Sequence, residues 1–226
     1  TDTKPSLLTF NEVTTFLHEF GHALHGMFSK CTYGSTSMDG VSRDFVELPS
    51  QFMENFALEK EWLDTWAEHY QTGEKIPQEY IDKIKKSSNF QAGYASDRQL
   101  SFGMVDMAWH TITEPVTEPL VDFEQRAMGK TEIMPVVKGS AFSPAFGHIF
   151  AGGYAAGYYG YKWAEVLDAD AFSLFKQNGI FDKATAESFR RNVLEKGASE
   201  KPMTLYKRFR GQEPTVDALL ERSGLK

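Results

Sequence analysis

Apolar residues at Phe10, Val13, Leu17, Phe20, Leu24 and Met27 recur at intervals of three and four, the spacing of one stripe along an α-helix. The start of that helix is written just ahead of it. Thr9 and Glu12 form a Ser/Thr-x-x-Glu capping box, with Leu8 and Val13 placed as a hydrophobic staple. The same segment carries a second stripe, His18, His22 and His25, whose centre lies about 140° from the first at about 100° per residue. The spacing therefore predicts a helix that packs into a core on one side and presents imidazoles on the other. Gly21 and Gly26 border the histidine side, where a missing side chain lets a second segment come close.

Further along, the pattern continues to predict helices. A Gly- and Ser-rich connector, Tyr33 to Ser42, leads to a second helix in which Pro49 suits the first turn and Phe52, Phe56, Leu63 and Trp66 supply the apolar side. Pro77 suits the first turn of a long segment reaching towards Trp109, and a helix around Phe123 to Met128 precedes Gly129. Trp163, Val166 and Leu167 belong to an amphipathic run. Asp182 caps a helix closing at Gly197, Pro202 opens one closing at Gly211, and Pro214 opens one closing at Gly224. Strand signals are scarce, and the best place for a small hairpin or β-turn is Lys30 to Val46. The expected fold is mainly α, a multi-helix arrangement with at most a small β-hairpin near residues 30–46. No internal repeat or low-complexity segment interrupts it.

Composition narrows the partners. With 226 residues, 41% of them hydrophobic, the chain can bury one sizeable core or two small ones. A net charge of −7 argues against nucleic acid, and short basic runs such as Lys83-Ile84-Lys85-Lys86 and Lys207-Arg208-Phe209-Arg210 read as solvated helix faces. Cys31 is the single cysteine, which excludes an intrachain disulfide and fits a reducing compartment. No apolar run is long enough to span a membrane, and the visible start carries no signal peptide. The expected compartment is the cytoplasm, with the periplasm as the alternative because the chain opens without Met.

The chemistry sits in His18-Glu19-Phe20-Gly21-His22. Two imidazoles four apart on a helix reach one point, and the Glu between them stands where a water-activating base is needed, which is the zinc-hydrolase pattern. Catalytic zinc takes a third protein ligand, and Glu47 is the candidate. Gln51 and Glu54 share its face, so either can hold the free nitrogen of a ligating His, while an ordinary solvated charge is the equal alternative for Glu54. A lone buried His25 reads as a core residue. Near the middle of the chain, Tyr154, Tyr158 and Tyr161 recur at helical spacing among Gly152, Gly153 and Gly157. They read either as an amphipathic core stripe or as phenol donors for an oxyanion. Tyr159 faces elsewhere and reads as packing.

The stretches FLHEFGHALHGMF, RDFVELPSQFMENF, FGHIFAGGYAAGYYGY and LYKRFRGQEPTVDALLERSGL stand in order along nearly all of the chain. Together they resemble the thimet-oligopeptidase family of zinc metallopeptidases. The resemblance implies a zincin-type catalytic domain over residues 1–226, the C-terminal portion of a longer chain whose preceding helical domain forms the other wall of a cleft. It implies one zinc ion held by His18, His22 and Glu47, Glu19 as general base, and short peptides as substrates. His148, Tyr154, Tyr158 and Tyr161 would bind the substrate backbone and stabilise the transition state. Arg43-Asp44 and Ala108-Trp109-His110 look more like members that release C-terminal dipeptides, whereas Gln51 to Asn55 looks more like members that cut internally. The balance leans to peptidyl-dipeptidase. Such release needs a dock for the substrate carboxylate, and Arg43, Arg98 and Lys138 are the candidates. Two alternatives stand beside it: a zinc-binding portion with little activity alone, and a helical interaction module whose motif is coincidental.

Overall fold

The capping box forms as written. In the computed structural model, which describes residues 5–226, the Thr9 N–H donates to Glu12 Oε2 at 2.7 Å and the Glu12 N–H donates back to Thr9 Oγ1 at 3.3 Å. Helix α1 then runs Phe10–Met27. Its buried line, however, is Leu17, Gly21 and His25, which shares only Leu17 with the apolar stripe. Phe20 is 41% exposed, Met27 is 65% exposed, and Leu8, the expected staple partner, is 61% exposed. The reason is steric. A helix packs closest where it has no side chain, and at Gly21 the backbone of α2 (Arg43–Glu54) lies directly against it.

Helix α2 starts six residues before Pro49, the residue expected to open it. The N–H groups of Phe45 and Val46 both bond to the Ser42 carbonyl, at 2.9 and 3.0 Å, and nucleate the first turn there. Pro49 therefore sits inside the helix, where its missing N–H costs about 3 kcal/mol in an isolated helix. Unbroken burial from Phe45 to Ser50 offsets that cost. The end of α2 and the 3₁₀ turn after it (Asn55–Leu58) are fixed by aromatics: Phe52 stacks on Phe189 at 4.4 Å and meets Phe175 edge-on at 5.0 Å, while Phe56 meets Phe172 at 5.0 Å. Such ring pairs add directional preference to apolar burial.

The connector between α1 and α2 holds two single 3₁₀ turns, Gly34–Thr36 and Met38–Gly40, and no hairpin. The Thr36 carbonyl accepts from the Ala198 N–H at 2.8 Å instead of from a partner strand. Among the described residues the β structure is one isolated bridge, Glu68 to Lys75. A short α3 (Lys60–Leu63) and then α4 (Gln78–Ser88) follow, with Leu63, Ala67 and Ile81 forming a small core of their own. The long segment expected from Pro77 towards Trp109 is broken. Gln91 takes a left-handed φ of 57°, and a new helix, α5, begins at Ala92 and ends at His110.

That break is also where the chain divides. Of the described residues, 5–90 and 164–226 make one compact unit, and 91–163 make another. The second contains α5, α6 (Leu120–Met128), α7 (Gly147–Phe150) and the first turns of α8 (Tyr159–Asn178). Its core joins Val105, Phe123 and Ile149. Trp109 packs on Phe123 at 4.1 Å and donates its indole N–H to Ser143 Oγ at 2.8 Å. The first unit is completed by α9 (Lys183–Asn192), capped by Asp182, whose carboxylate accepts from the Thr185 N–H at 2.7 Å. A 3₁₀ turn carries the chain from α9 to Gly197. Helix α10 (Pro202–Arg210) opens on Pro202 and closes on Gly211, which has φ 82°. The last helix, α11 (Asp217–Arg222), begins three residues after Pro214.

The Gly21 contact makes the fold testable. A Cβ there would lie 2.4 Å from the Pro49 carbonyl oxygen and 2.5 Å from Ser50 Cα, both backbone atoms. Helix propensity alone favours alanine by about 1 kcal/mol, but this overlap has the opposite sign. Gly21→Ala is expected to lower stability by about 1–3 kcal/mol in urea denaturation; an unchanged or higher midpoint would contradict close contact at this point.

Candidate metal centre

Antiparallel packing of α1 on α2 brings His18, His22 and Glu47 to one place. His18 Nε2 lies 3.3 Å and His22 Nε2 3.2 Å from the same oxygen, Glu47 Oε2. The two rings meet edge-on with centroids 5.0 Å apart. One ligand atom from each residue falls within 4.8 Å of the others. Tetrahedral zinc with bonds of about 2.0–2.1 Å sets neighbouring donor atoms about 3.3–3.4 Å apart, so the two nitrogen-to-oxygen separations fit such an ion.

The surroundings prepare each donor. His18 Nδ1 lies 2.7 Å from Glu54 Oε1. Because a carboxylate only accepts, Nδ1 carries a hydrogen, which leaves Nε2, the nitrogen facing Glu47, as the one that could bind a metal once it gives up its proton. Burial alone would depress the basicity of His18, but hydrogen bonds to Glu47 and Glu54, with their negative charges, outweigh it and raise its pKa to about 10. The charge that holds a proton at Nε2 is the charge that attracts a metal cation. Glu47 is 1% exposed. Its Oε2 accepts a 2.8 Å bond from the Ser50 hydroxyl, which fixes the carboxylate one turn along its own helix.

Glu54 is anchored in turn. The next residue, Asn55, donates through Nδ2 to the buried Asp168 carboxylate at 2.8 Å and accepts from Arg222 at 2.9 Å, and Arg222 also pairs with Asp168. Helices α8 and α11 thus pin the end of α2 that orients His18. Glu19 lies between His18 and His22 on α1 and is exposed. His25 takes no part in this arrangement. It is fully buried, neither ring nitrogen has a hydrogen-bond partner among the described residues, and burial, with the charge of His22 adding to it, lowers its pKa to about 4.

The second unit holds its own cluster. His148 Nε2 and the Tyr161 hydroxyl share a 3.0 Å hydrogen bond. Tyr154 stacks on Tyr161 at 5.0 Å, Tyr158 lies 5.1 Å from Tyr161, and His148 lies 5.1 Å from Tyr154. The four residues do meet, but not as a helical face. Helix α8 begins only at Tyr159, and a turn with left-handed Gly153 and Ala156 folds Tyr154 back onto Tyr161. The Tyr158 hydroxyl donates to Gln99 Oε1 at 3.2 Å.

The model of "Peptidase family M3" matches residues 1–225. The chain belongs to Peptidase family M3. Among M3 relatives, oligopeptidase A of Escherichia coli (strain K12) is 48% identical over 229 residues, covering 99% of this chain and 33% of that protein. Organellar oligopeptidase A of Arabidopsis thaliana is 46% identical, covering 98% and 29%. Dipeptidyl carboxypeptidase of Salmonella typhimurium (strain LT2) is 39% identical, covering 99% and 33%. The chain spans about a third of the length of the relatives it matches.

Two side chains of this M3 chain that touch the Tyr cluster were not legible as site residues, Gln99 and Asp106. Asp106 does carry a signal, a lone acid inside the apolar run Val105 to Trp109. Glu54 was one of two candidates, and the bond to His18 selects it over Gln51. Replacing Glu54 by Gln removes the acceptor charge from Nδ1 but keeps the shape. That change is expected to weaken zinc binding about 10- to 100-fold in chelator competition; an unaltered affinity would remove Glu54 from the site.

Proposed function

We propose that this chain is the catalytic portion of a zinc metallopeptidase that hydrolyses short peptides. The observation that carries the reading is the placement of two imidazole nitrogens 3.2 and 3.3 Å from one buried carboxylate oxygen, on a helix with Glu19 between the two histidines. His18, His22 and Glu47 would hold one zinc ion. Bound zinc would supply Lewis acidity, lowering the pKa of a water towards about 7.

The chain's own residues do the rest. Glu19 accepts the proton of the attacking water and returns it to the leaving amine, which lets both halves of an amide hydrolysis use one carboxylate. Its exposure on α1 suits a group that must reach substrate. Glu54 keeps the His18 Nδ1–H directed at itself, so Nε2 is the nitrogen whose lone pair would bind the metal. His148, Tyr154, Tyr158 and Tyr161 bind the substrate backbone and give hydrogen bonds to the oxyanion. A phenol donates at neutral pH without bringing charge, so its bond strengthens as negative charge develops.

Identity favours internal cleavage over dipeptide release. Arg43-Asp44 and Ala108-Trp109-His110 look like the dipeptide-releasing type, yet over nearly the whole chain identity is 46–48% to proteins named oligopeptidase A and 38–39% to those named dipeptidyl carboxypeptidase. We therefore assign oligopeptidase-type cutting. A preceding helical domain, in a protein about three times this length, would provide the facing wall for peptide binding.

One experiment tests both levels. In the full-length protein, Glu19→Gln is expected to keep one zinc per chain and to lose activity on a short internally quenched peptide by about 10²–10⁴-fold. Wild-type protein should cut that peptide whether its C-terminus is free or amidated. Near-normal turnover by Glu19→Gln would refute Glu19 as the base. Cleavage confined to the free-carboxylate peptide, two residues at a time, would restore dipeptide release.

A further inference from the structure

Asp106 is a fully buried carboxylate on α5, in a helical stretch that otherwise reads apolar. Burying an ionised group is costly unless its oxygens are met by donors, so the donors reveal its purpose. Oδ1 accepts from the Ala156 N–H at 2.9 Å and from His110 Nδ1 at 2.8 Å. Oδ2 accepts from the Tyr158 N–H at 2.8 Å. His110 Nδ1 also lies 2.8 Å from the Asp106 carbonyl, and since both of its partners only accept, that nitrogen is the donor.

Two of the three donors are backbone amides of the turn that carries the Tyr cluster. Between them the chain is in an unfavourable conformation: Ala156 has φ 51°, a left-handed value that residues with a Cβ rarely hold. Ala156 is exposed, so packing does not impose this value. The two amides, two residues apart, converge on the two oxygens of a single carboxylate, and that convergence fixes the turn. An amide side chain of the same shape offers one acceptor and would oppose its NH₂ to the other N–H. The requirement is therefore for a carboxylate, not for a polar side chain of that size.

We propose that Asp106 is a positioning residue for peptide hydrolysis: it clamps the 154–158 turn through the Ala156 and Tyr158 amides, holding Tyr154, Tyr158, Tyr161 and His148 in their mutual arrangement. His110 steadies the clamp from the same helix. The proposal rests on the reading of this cluster as the group that binds substrate backbone and oxyanion.

The test is Asp106→Asn in the zinc-loaded full-length protein. Displacement of oxyanion donors by about 1 Å is expected to lower kcat roughly 10- to 100-fold, with KM and zinc stoichiometry little changed because the loss falls on the transition state. Ala156→Val supplies the second variant. It strains the same turn from an exposed position without disturbing the buried carboxylate, and it should also lower kcat, whereas Ala156→Gly, which accepts the left-handed φ freely, should not. Hydrogen exchange at the Ala156 and Tyr158 amides reads the clamp without any turnover and should accelerate in Asp106→Asn while α1 and α2 keep their protection. Unchanged exchange at these amides would overturn the clamp. Accelerated exchange with wild-type kcat would overturn its positioning role. Failure of the proposed function shows separately, as zinc-loaded wild-type protein that leaves peptides uncut.

Discussion

The close approach of α1 to α2 at Gly21 is the contact on which the candidate metal centre depends. Three interactions lie along that seam in antiparallel order: His18 with Glu54, Gly21 against Pro49 and Ser50, and His22 with Glu47. Only because the middle contact is backbone to backbone do the outer two come within bonding range. A side chain at position 21 would hold the helices apart, and donor separations of 3.2–3.3 Å would lengthen with them. The helical proline belongs to the same design, since Pro49 presents its carbonyl at the tightest point and the buried run around it offsets its lost hydrogen bond.

Charge follows from that packing. A carboxylate as buried as Glu47 needs partners for its oxygens, and the helices set two imidazoles and a serine hydroxyl against one of them. Glu54 adds a second negative charge behind His18, and the Asn55, Asp168 and Arg222 group holds the end of α2 in place. The result is a candidate cation site assembled in layers, from donor atoms to the group that orients a donor to the helices that fix that group. Asp106 does comparable work in the other unit, where a buried carboxylate shapes a turn through backbone amides.

What could be read in the sequence was whatever depends on local rules. The Thr9–Glu12 capping box, the Asp182 cap, and the Pro202 and Gly211 boundaries are satisfied within a few residues of themselves, so the chain states them directly. The His-Glu-x-x-His spacing is also local, and Glu47, a candidate because zinc chemistry demands a third donor, does fall beside both histidines. Tertiary contacts were not legible. Periodicity marks Phe20 and Met27 as apolar but cannot tell that α2 docks on the glycine side instead. Helical spacing joined Tyr154, Tyr158 and Tyr161 correctly for the wrong reason, since a strained turn, not a helix, brings them together. The break at Gln91 was likewise not legible, since a left-handed φ of 57° is a conformation that glutamine rarely adopts.

The central claim is that the α1–α2 seam builds a zinc centre from two imidazoles and one carboxylate. Zinc K-edge X-ray absorption on the purified full-length protein addresses it most directly. The account predicts one zinc per chain, with a first shell of nitrogen and oxygen only at about 2.0–2.2 Å and scattering from two imidazole rings. A shell containing sulfur at about 2.3 Å, a single imidazole, or protein that takes up no zinc would contradict it.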